Sequence, residues 1–160
     1  MFMNVFLKKA NINEYKEIHA MQIVSFSDLL EKYKDYETSP GTESVESIAK
    51  KIKQEHTDYY FIVLKDKNIG AIRVVKLSAK ECRIAPMFIL PENQGNGYAK
   101  QILRQVECLY PEVKIWKLDT IKQENKLCHL YESMGYKLTG NEEKITEYMT
   151  IVYYQKELNK

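Results

Sequence analysis

The residues best suited to chemistry in this sequence form a short glycine turn, Gln94-Gly95-Asn96-Gly97-Tyr98-Ala99. An apolar run precedes it and a segment of helical period follows. The unpaired N–H groups of a helix's first turn therefore face a strand end. Glycine at 95 and 97 permits positive φ and leaves no Cβ in the way of a ligand, while the helix dipole adds about half a positive charge. Such a nest suits an anion, and a pyrophosphate would fit it. Asn96-Gly97 is also a hairpin signal, but the residues after it repeat at 3.6 rather than 2. No Gly-Lys-Ser/Thr closes a P-loop and no third glycine completes a dinucleotide fingerprint, so the nest is of a different type.

Metal chemistry has less to work with. Cys82, Cys108 and Cys128 are odd in number and match no metal-ligand spacing, and His19, His56 and His129 are equally scattered. Cys128 and His129 are adjacent, and neighbouring helical positions point about 100° apart, so they cannot face one metal. No metal is expected, and free thiols suit a reducing compartment.

A turn of this kind needs a strand in front and a helix behind, and the pattern supplies both. The strand is 81–90, apolar after Arg83. It contains Pro86, which cannot donate a ladder hydrogen bond and so predicts a bulge or an unpaired stretch. The helix runs from 98 to about 110, with Ala99, Ile102, Leu103, Val106 and Leu109 on one face and Pro111 ending it. Upstream, 3–8 reads as a strand. A helix capped by Asn11 or Asn13 follows, with Ile12, Tyr15, Ile18, Met21 and Gln22 or Ile23 inward, continuing unevenly through Phe26, Leu29, Leu30 and Tyr33. Pro40-Gly41 breaks it, and a second helix over 44–55 turns Val45, Ile48, Ala49 and Ile52 inward. Strands 59–65 and 69–77 make a hairpin about Asp66-Lys67-Asn68. Downstream come a strand over 113–121, a short helix over 125–134 stopped by Gly135, and closing strands over 136–138 and 145–154.

The stretch Met87-Phe88-Ile89-Leu90-Pro91-Glu92-Asn93-Gln94-Gly95-Asn96-Gly97-Tyr98-Ala99 resembles the coenzyme A motif of the GNAT superfamily of N-acetyltransferases. That motif is a strand leading to Gln/Arg-x-x-Gly-x-Gly/Ala at a helix start, and every position is filled. Asn125-Lys126-Leu127-Cys128-His129-Leu130-Tyr131-Glu132-Ser133-Met134-Gly135-Tyr136 resembles the family's second segment, which ends Leu-Tyr-Glu-x-x-Gly-Phe/Tyr. The resemblance covers the chain well from about Tyr59 onward, and the earlier residues only by helical pattern. It implies one GNAT domain over 1–160, an α/β fold. The sheet would be mixed, twisted and of about six to seven strands, splayed at the interrupted strand and flanked by helices. It also implies acetyl-CoA as co-substrate. The pantetheine arm would lie along Met87, Phe88 and Ile89, and the pyrophosphate against Gln94, Gly95, Asn96, Gly97, Tyr98, Ala99 and Lys100. Lys100 or Arg104 could meet an outlying phosphate, the alternative for each being a solvated helix face.

Making an amide from a thioester requires a neutral amine, a stabilised oxyanion and a proton for the departing thiolate. N–H groups freed near Pro86 are candidates for the oxyanion. By resemblance, Tyr131 is the acid that protonates the thiolate. Asn125 is expected at the coenzyme, although many relatives have their asparagine where this chain has Glu124. Asp119 and Glu81 compete as the base, each being otherwise a solvated carboxylate at a strand edge. The acidic, tyrosine-rich stretch Asp28, Glu31, Tyr33, Asp35, Tyr36, Glu37 falls where this fold lines its acceptor side, but Lys32 and Lys34 nearly cancel its charge.

Balanced charge narrows the partners. Against 22 acidic side chains stand 24 basic ones, a net +2 over 160 residues, which gives no field for nucleic acid or membrane. No apolar run approaches the ~20 residues that span a bilayer, and the apolar opening Met1-Phe2-Met3-Asn4-Val5-Phe6-Leu7 lacks a basic leader, so a cytoplasmic protein is expected. The expected partners are acetyl-CoA and an amine. The acceptor's identity and the choice between monomer and homodimer stay open. A non-catalytic acyl-CoA-binding module is the competing function; it would keep Gly95 and Gly97 without needing Tyr131 or a base.

Overall fold

The computed structural model describes residues 4–159; Met3, the expected start of the first strand, lies outside them. Seven strands form one mixed sheet in the order β1-β2-β3-β4-β5-β7-β6. They are β1 Phe6–Lys9, β2 Thr57–Leu64, β3 Lys67–Lys76, β4 Glu81–Ile89, β5 Ile115–Ile121, β6 Lys137–Thr146 and β7 Met149–Glu157. The helices are α1 Tyr15–Tyr33, α2 Val45–Lys51, α3 Tyr98–Leu109 and α4 Asn125–Ser133. Neighbouring strands are antiparallel except β4 and β5, which run parallel. A right-handed crossover through a helix is the usual way to join such a pair, and α3 provides the helix.

Alternation along the strands separates two apolar layers. Ile72 and Val74 of β3, Ile84 of β4, Trp116 and Leu118 of β5 and Val152 and Tyr154 of β7 pack with Ile102, Leu103 and Val106 of α3 and with Tyr131 of α4. On the opposite face Tyr59, Phe61, Ala71 and Phe88 pack with Ile18 and Met21 of α1, Ile48 of α2 and Ile52 just after it. The period of 2 thus assigns Arg73, Arg83 and Asp119, which lie between core residues, to the face covered by α1 and α2. Among the described residues, no helix is long and apolar enough to cross a membrane.

The sheet opens in its middle. β4 and β5 pair only through Glu81–Ile115, Cys82–Trp116 and Arg83–Lys117. Beyond that point β4 stays with β3 up to Ile89, and β5 stays with β7 up to Ile121. A gap therefore separates the two parallel strands at their C-terminal ends. The expected interruption at Pro86 takes the form of a bulge: Val74 pairs with Ile84 and Ile72 with Met87, so Arg73 alone opposes Ala85 and Pro86. Arg73 Nη1 donates to the Ala85 carbonyl at 2.9 Å and so secures the bulge.

Several boundaries differ from the sequence pattern. Ile12, expected inward, is 54% exposed, because it sits in a 3-10 turn before α1 rather than in the helix. Leu109, expected in the core, is 50% exposed at the last residue of α3. The hairpin between β2 and β3 turns at Lys65 and Asp66, both with positive φ, one to two residues earlier than expected. The closing strands form a longer hairpin than expected, because β6 continues through 139–144 as an edge strand paired with β7.

Candidate active site

The glycine turn lies at the open end of the gap. Gly95 and Gly97 have φ of 80° and 78°, a region that favours glycine, and a Cβ added at either would meet nothing within 4 Å. The space beside them is therefore open. The Gln94 side chain ties the turn to the strand, its Nε2 donating to the Ile89 carbonyl at 2.8 Å. Asn96 braces the loop from within, its Nδ2 donating to the carbonyls of Asn93 and Gln94. Intrahelical pairing begins with the Gln101 N–H on the Gly97 carbonyl. Among the described residues, the backbone N–H groups from Gly95 through Lys100 have no acceptor. Consecutive free donors on a helix start fit a pyrophosphate. Lys100 is half-buried near this turn without an ion pair; Arg104, farther along α3, instead lines an open groove of about 380 Å³ with Phe6, Leu7, Gln105, Cys108 and Leu109. Met87, Phe88 and Ile89 have β3 on one side and no strand on the other, which leaves backbone on the gap side for a ligand.

Tyr131 lies on α4 and packs against the core layer beneath α3. Its ring makes an edge contact with Tyr136 at 6.0 Å and lies 6.3 Å from Tyr154, so aromatic neighbours fix its direction. The residue is only 8% exposed, yet its hydroxyl has no hydrogen-bond partner among the described residues. Burial holds the phenol protonated well above the ordinary tyrosine range, with the charges of Asp119 and Cys128 acting in the same sense.

Asp119 lies on β5 two residues past the last β4–β5 pair. It is open to solvent, but the surrounding protein raises its pKa by desolvation; Arg83 opposes that shift and Glu143 adds to it. Tyr153 pairs with Asp119 across β7 and donates its hydroxyl to Glu143 at 3.0 Å. Asp119 itself has no hydrogen bond among the described residues. Glu81 lies elsewhere, in the paired part of β4, with an ion pair to Lys117 at 3.2 Å.

Glu124 and Asn125 lie at the start of α4. Glu124 is the residue before the helix; its carboxylate accepts from Lys32 at 2.7 Å and from the Tyr33 hydroxyl, tying α4 to the end of α1. Asn125 is the first helical residue and is exposed. In the acidic stretch, Asp35 is buried and caps its own loop through the N–H groups of Glu37 and Thr38. Among the described residues, no group of three or more His, Cys, Asp or Glu could hold a metal ion. Arg83 and Tyr153, which flank Asp119, escaped the sequence reading. A lone arginine between Cys82 and Ile84 in an apolar strand was the available signal.

Solved structures share this architecture. The spermidine N-acetyltransferase of Vibrio cholerae, in complex with CoA and spermine, is similar with a TM-score of 0.75 and 18% identity, over 95% of this chain and 94% of that one. The PaiA N-acetyltransferase of Thermoplasma acidophilum, in complex with coenzyme A, has a TM-score of 0.77 and 16% identity, over 98% and 100%. An acetyltransferase from Thermus thermophilus has 0.75 and 13%, over 99% and 100%. At these identities the likeness speaks for the fold. No curated protein matches the sequence. The sequence model of the acetyltransferase (GNAT) domain matches residues 29–158, which takes in both motifs, Asp119 and Tyr131 and begins well upstream of Tyr59. With most of its length matched, the chain belongs to the GNAT acetyltransferase family.

Proposed function

We propose that the protein moves an acetyl group from acetyl-CoA to a primary amine by direct attack. The pyrophosphate binds the N–H groups from Gly95 to Lys100, and the pantetheine arm runs along the open backbone of Met87 to Ile89. The amine enters from the face covered by α1 and α2. Asp119 accepts its proton, directly or through water, as the N–C bond forms. The C–S bond then breaks, and the Tyr131 hydroxyl protonates the departing sulfur. Holding both partners in the gap removes much of the entropic barrier to this bimolecular step.

One observation carries this reading. Past the last β4–β5 pair the two strands part, Asp119 lies on β5 just beyond that point without a hydrogen bond, its charge acts on the buried phenol of Tyr131, and α3 starts with N–H donors that are free among the described residues. The phenol is kept neutral by burial, the state a general acid must have at pH 7, and the carboxylate stays accessible, as a base must. Asp119 is assigned as base in preference to Glu81 because the Lys117 ammonium already neutralises Glu81.

Incubation with acetyl-CoA and a panel of polyamines, amino acids, aminoglycosides and peptides is expected to release free thiol faster than hydrolysis alone, with at least one acceptor. Acetyl-CoA binding without accelerated release by any acceptor would favour the non-catalytic module instead.

A further inference from the structure

The sheet face on which Asp119 lies also carries two arginines, Arg73 and Arg83, without a carboxylate at ion-pair distance among the described residues. Arg83 makes no ion pair and no hydrogen bond among the described residues. Its Nε is shut away from solvent without a partner, whereas its terminal nitrogens are not enclosed. On the neighbouring strand, Arg73 spends Nη1 on the Ala85 carbonyl and has no carboxylate partner either. Of the acidic groups nearby, Glu81 is ion-paired with Lys117 and Glu43 with Lys51, while Glu143 accepts from the neutral Tyr153 hydroxyl and keeps its charge. Asp119 has neither an ion pair nor a hydrogen bond among the described residues, and it stands diagonally across the last β4–β5 pair from Arg83.

An unpaired guanidinium is a planar fork of donors that matches a carboxylate in geometry and charge. Leaving it half-buried without a partner is costly unless a ligand supplies the anion. This face thus offers a carboxylate without a partner, on Asp119, and diagonally across the strand pair an unpaired guanidinium, on Arg83. Resting on the acetyl-transfer reading above, we propose that the acceptor is a free amino acid or a similarly small amine bearing a carboxylate. Asp119 takes its amine, Arg83 holds its carboxylate, and Arg73 adds a second positive charge. A nearby guanidinium also favours the neutral form of the amine, which is the form that attacks.

The test compares amino acids of varied side chain with their carboxamides, which keep the amine and lose the negative charge, and with spermidine, all at saturating acetyl-CoA. The expected kcat/KM is about tenfold to a hundredfold higher for the best amino acid than for its carboxamide, the worth of a charge-assisted hydrogen-bonded pair. Spermidine is expected to be poorer than either. In Arg83→Gln the acid-to-amide ratio should collapse toward one, and Arg83→Lys should keep part of the ratio. Comparing ratios between protein variants cancels the different basicities of the two amines. A wild-type protein that uses the carboxamide or spermidine as well as the acid would overturn the proposal, as would an unaltered ratio in Arg83→Gln. Should Arg83→Gln fail to fold, the ratio in Arg83→Lys, compared with that of wild type, decides. Thiol release that is absent for every amine would instead remove the acetyl-transfer reading beneath it.

Discussion

Replacing Tyr131 by phenylalanine is expected to lower turnover by about a hundredfold to ten-thousandfold while acetyl-CoA affinity and thermal stability stay nearly unchanged. The substitution keeps the ring, and with it the edge contact to Tyr136 and the packing beside Tyr154. The hydroxyl has no protein hydrogen bond to lose, so a purely packing role predicts normal turnover and an unaltered melting temperature. A proton donor acts only as the thiolate leaves, so its loss appears in kcat and not in binding. Single-turnover rates with the best acceptor separate the two outcomes. Turnover within a few-fold of wild type, with chemistry rate-limiting, would remove Tyr131 from the mechanism. Turnover that collapses together with coenzyme binding would make the hydroxyl a coenzyme contact and leave protonation to water.

Asp119→Asn is expected to have an effect of similar size, and a pH signature in addition. A base works only when ionised, so the rate should fall as pH drops through the pKa of Asp119. Desolvation raises that pKa, with Glu143 adding and Arg83 opposing. The acidic limb of the kcat profile should therefore lie above about 3.9, the ordinary aspartate value, and disappear in Asp119→Asn. The stability effect has the opposite sense from that of a paired carboxylate. With its folded pKa above its unfolded one, Asp119 favours folding below the unfolded pKa, and that contribution is lost as pH rises through the folded pKa. At neutral pH the asparagine variant should be no less stable than wild type. An acidic limb unchanged in Asp119→Asn would assign the titration, and the base, to another group.

Features governed by local backbone chemistry were legible in the sequence. Glycine at 95 and 97 announced positive φ, and both residues have it. The three-four spacing of Ile102, Leu103 and Val106 placed the buried face of α3. Pro86 announced a disturbance in β4, though not that the strand would continue past it as a bulge held by Arg73. The pattern failed where tertiary pairing outweighs it. Residues 139–144 are polar and exposed and form a strand only because β7 pairs with them. The surroundings of the site depend on register between distant segments. Asp119 meets Arg83 and Tyr153, and Glu124 meets Lys32 and Tyr33, through pairings that no local spacing encodes.

The central claim is that the gap beside Gly95 to Lys100 takes acetyl-CoA, and thermal unfolding tests it most directly. Ligand at a hundred times its dissociation constant stabilises the folded state by about 2.7 kcal/mol. For a chain of this size that raises the melting temperature by about 5–10 °C. Gly97→Glu directs a carboxylate into the open space where no protein atom lies within 4 Å, and it should abolish the ligand-induced rise whatever it does to the unliganded protein. A rise of that size in wild type and none in Gly97→Glu is the predicted result. No rise in wild type at saturating acetyl-CoA would contradict the account, and a rise that survives in Gly97→Glu would place the coenzyme elsewhere.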